Sequence, residues 1–347
     1  MSRLPRSTYL TLSLSALIWC LSLGCESKDD DSSTFCLSQT GTFENIYANS
    51  IQWDGSGFLC GAGNRLLQLG LASGSPVLLG QLWLIDCNLL ATSGQRGVAG
   101  GYRGFQLFSW TDAGGLQEGA VMDSVAGLRA LDMEGDLVAA ALDEQGIWLL
   151  DVADPQAPAR LALIPNGDPS LHVWFRSLQL SGDRLYALSQ DWEQDLAVYD
   201  ISDPQSPVLL GTADTYGGEF ALAQERVYLL DDVDGLYALR ALDLRDPAHP
   251  VAGGTCITSP YSLSDFRVSG TRLYAVGRAE LGIQPRYRLY EFDIEDPDNP
   301  RLNGLVELER PCYTIGVGEE YVLVKQERVD EAAASMDLYS TCDGWQP

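Results

Sequence analysis

Histidine and lysine are almost missing from this 347-residue chain, which has only His172, His249, Lys28 and Lys325. With two histidines and no Cys-x-x-Cys pair, the ligands for a structural zinc site are lacking. Arginine carries the positive charge and is heavily outnumbered: 22 Lys+Arg face 48 Asp+Glu, for a net charge of −26. Such a chain repels phosphate backbones, which excludes nucleic acid as a partner. No apolar run approaches the roughly 20 residues of a membrane-spanning helix; Tyr9 to Leu23 is too short. The Gly-x-Ser-x-Gly nucleophile elbow is absent, as is any Ser/His/Asp order that would support nucleophilic catalysis.

What the chain does contain is a repeat. Asp-x-x-Asp-Pro-x-x-Pro occurs at Asp151 to Pro158, Asp200 to Pro207, Asp243 to Pro250 and Asp293 to Pro300, with starts 49, 43 and 50 residues apart. Each copy follows a short alternating β-prone run, such as Leu196-Ala197-Val198-Tyr199. The Asp side chain bonds nearby backbone N–H groups and Pro presets the next φ, so each copy reads as a strand leading into a turn. Upstream, Ser177 to Leu180 and Leu185 to Leu188 flank Ser181-Gly182-Asp183-Arg184, a hairpin signal that recurs around Gly270. Downstream, Val208 to Gly211 makes a fourth strand. Four short strands in 43 to 50 residues are the signature of a β-propeller blade.

Weaker copies start near Ser50, Leu89 and Tyr313, for seven units in all. The expected fold is all-β: a seven-bladed β-propeller of four-stranded blades. Unit seven lacks its fourth strand, while one spare β-prone segment, Thr34 to Phe43, precedes unit one. The N-terminal strand is therefore expected to close the ring and remove its open edges. The pentads Ile147 to Asp151, Leu196 to Asp200, Leu239 to Asp243 and Leu289 to Asp293 resemble the core of the LVIVD repeat family. The resemblance spans Leu137 to Gly304. It implies the propeller fold and an exported bacterial setting, and carries no catalytic motif.

Arg3 and Arg6 followed by Tyr9 to Leu23 have the pattern of a signal peptide over residues 1–24. Leu21-Ser22-Leu23-Gly24-Cys25 resembles the lipobox of bacterial lipoproteins, with Ser22 where that family carries an aliphatic residue. The resemblance implies lipidation (palmitate included) at Cys25, and Glu26 at the next position implies the outer membrane. Residues 25–33 contain nothing to bury and read as a disordered acidic tether, with the propeller domain at 34–347. The remaining six cysteines suggest disulfides in an exported protein. The expected pairs are Cys36 with Cys342, Cys256 with Cys312 and, by exclusion, Cys60 with Cys87.

The aspartates of the repeat stand at the same place in successive units, which is the mark of a turn rather than of a ligand set. Asp231, Asp232 and Asp234 resemble the start of a calcium loop whose later ligands do not follow; calcium is the one cofactor the pattern admits. Connections alternate between the two ends of a blade. The Gly hairpins and Asp-Pro turns share one formulaic face, and the other face holds the variable loops, where recognition is expected. That face carries His172, Trp174, Arg176, Trp192, Tyr216, Tyr261, Arg278, Arg286 and Tyr287. The resulting expectation is a monomeric, non-enzymatic envelope scaffold, held to the membrane by lipid alone, that binds an envelope protein or extracellular ligand. The alternatives are an exported hydrolase or lyase acting on carbohydrate, and a calcium-dependent adhesion module.

Overall fold

Short β-prone runs cannot bury an apolar face alone, so they pair into ladders and the ladders stack. The computed structural model describes residues 37–341 other than 44–47, 73–74, 112–114, 124, 126, 144, 167–173, 190–194, 216–217, 234–235, 259–260, 282–283 and 328–333. Among the described residues every regular element is a strand. Strand β1 (Ser38–Phe43) precedes blade 1, which is β2 (Ser50–Trp53), β3 (Gly57–Ala62), β4 (Arg65–Ala72) and β5 (Ser75–Trp83). Blade 2 is β6 (Leu89–Ser93), β7 (Arg96–Gly101), β8 (Gly104–Ser109) and β9 (Gln117–Met122). Blade 3 is β10 (Leu128–Glu134), β11 (Leu137–Leu142), β12 (Gly146–Asp151) and β13 (Ala159–Ile164). Blade 4 is β14 (Phe175–Ser181), β15 (Arg184–Ser189), β16 (Asp195–Asp200) and β17 (Val208–Asp214). Blade 5 is β18 (Phe220–Ala223), β19 (Arg226–Val233), β20 (Leu236–Asp243) and β21 (Val251–Ile257). Blade 6 is β22 (Ser262–Ser269), β23 (Arg272–Leu281), β24 (Gln284–Asp293) and β25 (Arg301–Leu308). Blade 7 is β26 (Cys312–Val317), β27 (Tyr321–Glu327) and β28 (Ala334–Ser340), completed by β1.

The seven sheets are four-stranded and antiparallel, and six follow chain order. The seventh runs β1-β28-β27-β26, with Ser38 opposite Ser340 and Phe43 opposite Met336. The ring therefore closes as the two leftover segments required. The first strands of successive blades touch one another and line the central channel.

The core consists of seven apolar clusters, each lying in the seam between two neighbouring blades. Successive side chains of a strand point to opposite faces, so each blade feeds two seams. Leu185 and Ala187 pack toward blade 3, while Tyr186 and Leu188 pack toward blade 5. The residue after the first Asp of the repeat (Val152, Ile201, Leu244 or Ile294) is almost fully buried in the seam with the preceding blade.

The same alternation overturns two expected disulfides. Cys60 faces the seam between blades 7 and 1, and Cys87 lies in the seam between blades 1 and 2. Both are free thiols. Cys312 is also free; it sits between blades 6 and 7, whereas Cys256 sits between blades 5 and 6. In each expected pair a sheet separates the partners. Burial pushes the Cys87 and Cys312 thiols up to about 12, so neither is a ready nucleophile. Cys25, Cys36 and Cys342 lie outside the described residues, as do the leader and tether.

Candidate functional site

The Asp-Pro turns are chemically self-contained. In all four strong copies the first Asp accepts a hydrogen bond from the backbone N–H two residues on: Asp151 from Ala153 (2.9 Å), Asp200 from Ser202 (2.9 Å), Asp243 from Arg245 (3.0 Å) and Asp293 from Glu295 (2.9 Å). The second Asp does the same, with Asp154, Asp203, Asp246 and Asp296 accepting from Gln156, Gln205, Ala248 and Asp298. The backbone hydrogen bond from Ser202 holds the Asp200 carboxyl below its usual range. Turn capping is thus what these carboxylates do, as the repetition implied. The turn then docks on the outer strand of the preceding blade: a Cβ on Gly211 would stand 2.0 Å from the Pro247 carbonyl oxygen, and one on Gly254 2.2 Å from Pro300. Only glycine permits that approach. Arg184 adds a latch, donating to the carbonyls of Leu244 (3.0 Å) and Arg245 (3.1 Å) in the next blade's turn.

The channel is polar, which few sequence cues announced. Asp132 on β10 accepts from the Leu180 N–H of β14 (2.6 Å), Gln179 on β14 from the Leu222 N–H of β18 (3.0 Å), and Asp265 on β22 from the Ile315 N–H of β26 (3.0 Å). Each side chain thereby ties its inner strand to the next blade. Burial, opposed by the Leu180 and Met133 N–H groups, brings the Asp132 carboxyl up to about 7. The available signal was a single polar residue inside an otherwise apolar inner run, as in Leu178-Gln179-Leu180.

At the variable-loop end the channel opens between blades 4, 5 and 6. Arg176, at the start of β14, and Glu219, just before β18, line both the channel and a side cavity of about 230 Å³. Desolvation, and then the Asp265 charge, push the Glu219 carboxyl up to about 7, against the pull of Arg267 and Arg176. Asp265 in turn pairs with Arg267 and is raised by burial. Arg129, which pairs with Asp143, lies over the Trp174 ring at 5.3 Å.

The expected ligand face is therefore only partly assembled. Arg176 reaches the channel mouth, and half-buried Trp174 stands beside Arg129 nearby. Arg286 is exposed on the β23–β24 hairpin, where Tyr287 pairs with Arg278 in the ladder. Tyr261 and Tyr287 are buried, 2% and 7% exposed, and contribute to seams instead of presenting their rings to solvent. Tyr261 lies beneath the Arg288 guanidinium at 4.1 Å. Asp231 and Asp232 belong to strand β19, opposite Ala238 and Tyr237, in a hairpin and not an open loop. No group of three potential metal ligands occurs among the described residues. His172, Trp192, Tyr216 and Asp234 lie outside the described residues.

This geometry defines a class, the seven-bladed β-propeller. Residues 176–215, essentially blade 4, match the LVIVD repeat, so the propeller carries an LVIVD repeat in that blade. Among solved structures it is similar to the β-propeller domain of Cps50 (Swd1) from Myceliophteria thermophila, with 13% identity, a TM-score of 0.64, and 85% of this chain and 98% of that one covered. It is also similar to the C-terminal WD40 domain of Sif2, with 12% identity, a TM-score of 0.61, and 89% and 99% coverage. BamB from Moraxella catarrhalis matches at 10% identity and a TM-score of 0.55, with 90% and 99% coverage. At these identities the likeness concerns the fold. No curated protein matches the chain in sequence.

Proposed function

We propose that the protein is a non-enzymatic binding scaffold of the bacterial envelope, anchored through lipid on Cys25, which presents its variable-loop face to a protein partner. The propeller fold is commonly a protein-interaction module. The observation that carries the reading is the asymmetry of the two faces. The aspartates of the turn face are consumed by their own backbone, whereas Trp174, Arg286 and the channel mouth stand on the other face outside any formulaic turn. A partner should carry positive charge, because the chain is strongly acidic.

The test is a pull-down from envelope extracts with the full chain. One basic or membrane-associated protein should be recovered, and the pair Trp174→Ala and Arg286→Ala should lose it while melting normally. Unchanged recovery by both variants would refute the recognition face. Cys25→Ser should move the protein to the soluble fraction; a variant that stays with membranes would refute the anchor. A second reading, an exported carbohydrate hydrolase or lyase, draws on the Glu219–Asp265 carboxyl pair in the channel. It requires turnover of a glycan that Glu219→Gln abolishes.

A further inference from the structure

The side cavity at the channel mouth is built for something smaller than a protein. At about 230 Å³ it falls below the ~300–1,000 Å³ of drug-sized pockets, so it suits one compact molecule. Its polar groups are of two kinds. Arg176 has Glu219 as a charged neighbour and makes no hydrogen bond with another described residue. Gly218 makes room for it: a Cβ there would stand 2.2 Å from the guanidinium Nη2. A guanidinium with uncommitted donors facing a cavity suits a planar carboxylate, which it can grip with two parallel bonds.

Across the cavity, three hydroxyls have committed their protons to the backbone. Thr258 Oγ1 donates to the Tyr261 carbonyl (3.0 Å), Ser262 Oγ to that of Arg278 (3.2 Å) and Ser264 Oγ to that of Val276 (3.3 Å). What they offer a ligand is lone pairs, which accept from ligand hydroxyls. The Tyr237 side chain, 46% exposed, supplies an aromatic wall at the same opening, and such a ring face packs against aliphatic C–H groups. The required ligand has one carboxylate, several hydroxyls and an apolar C–H face.

We propose that this cavity binds a sugar acid of monosaccharide size, with its carboxylate on Arg176 and its hydroxyls on Ser262, Ser264 and Glu219. The site goes beyond the protein-docking reading and stands whether or not the rim binds a partner. A cation is disfavoured there because Arg176 and Arg267 flank Glu219. A phosphate dianion is disfavoured because Glu219, which has Asp265 as a neighbour, adjoins Arg176, the one guanidinium among the described residues that line the cavity. The charged and titratable groups facing Glu219 are Asp265, Arg267 and Arg176. Its carboxyl, held up to about 7, is neutral below that pH and does not repel the ligand. Affinity should therefore fall as pH rises through about 7.

Calorimetric titration of the full chain with D-glucuronate, D-glucose and inorganic phosphate tests the assignment. D-Glucuronate should bind, and D-glucose and phosphate should bind at least about tenfold more weakly. Arg176→Ala should weaken glucuronate binding by about tenfold or more, with Arg176→Lys in between, since an ammonium keeps the charge but not the fork. Glu219→Gln should keep binding and abolish its pH dependence. Glucose binding as well as glucuronate, phosphate displacing glucuronate at equal concentration, no glucuronate binding by the native chain, or full affinity in a folded Arg176→Lys protein would each overturn the proposal. The pair Trp174→Ala and Arg286→Ala, neither of which lines this cavity, should leave glucuronate affinity unchanged while losing the protein partner, so failure of this site and failure of the rim are distinguishable.

Discussion

The two faces of this propeller are made from the same strands, yet they use polar residues in opposite ways. On the turn face, the Asp-Pro turns recur with nearly constant geometry. Each aspartate caps its own loop, and the turns of blades 5 and 6 seat on the preceding outer strand at distances that admit only glycine at Gly211 and Gly254. On the loop face the polar groups bridge blades or open into a cavity, and Glu219 and Asp265 share a site with Arg176 and Arg267. Bonds closed within a local turn leave less to offer a ligand. Polar groups gathered from different blades around a cavity, as Arg176 and Glu219 are, keep hydrogen-bonding capacity for a ligand.

The sharpest way to break this contrast is at the seam on the turn face. Gly211→Val would drive side-chain atoms into the Pro247 carbonyl and should cost about 3 kcal/mol, at the upper end of overpacking effects. Urea denaturation would read it, and a cost below about 1 kcal/mol would show that the turn docks loosely. The equivalent position of blade 3 is Ala162, so Gly211→Ala should cost less than valine. Next in size are the caps. Asp200→Ala and Asp203→Ala each remove a bond to a backbone N–H and should lower stability by about 1 kcal/mol apiece. A chelator should leave both the native and variant melting temperatures in place.

Asp132 gives a pH test of the channel between the two faces. Its folded value, about 7, lies above the ordinary 3.8, so the folded state holds a proton that the unfolded chain has lost. Its contribution to stability is full below the ordinary value and disappears as pH rises toward the folded one. The melting temperature should decline across that window. Asp132→Asn, which keeps an oxygen for the Leu180 N–H, should flatten the decline; an unchanged slope would mean the carboxyl is ionised in the fold. The smallest effect on stability belongs to the rim. Arg286→Ala, on an exposed hairpin, should change it by less than about 0.5 kcal/mol.

The blades were legible because their cues are local. An alternating run, a glycine hairpin and an Asp-Pro turn each specify backbone geometry within a few residues. In the hairpins, Gly135, Gly182 and Gly270 take φ of +59°, +57° and +58° at the first loop position, as a two-residue turn that suits twisted strands requires. Blade 5 shows the limit of that cue, since Gln224 and Glu225 adopt φ of +50° and +60° without glycine. Two of the three expected cysteine pairs were misread because cysteine order along the chain does not say which face of a sheet a side chain occupies. Cys60 and Cys87 are close in sequence but belong to different seams. The ligand face was half legible. Tyr261 and Tyr287 have the composition of a binding surface, but they fill seams, and Glu219 and Asp265 looked like two of many carboxylates.

The sequence by itself determined the repeat, the blade count and the closing strand, because strand alternation and turn chemistry act over short stretches and leftover pieces must pair. The tertiary structure alone decided which residues share a seam and which carboxylates and guanidiniums meet at the channel mouth. Those depend on the circular order of the blades, which brings Arg176, Glu219 and Asp265 together from three separate sheets.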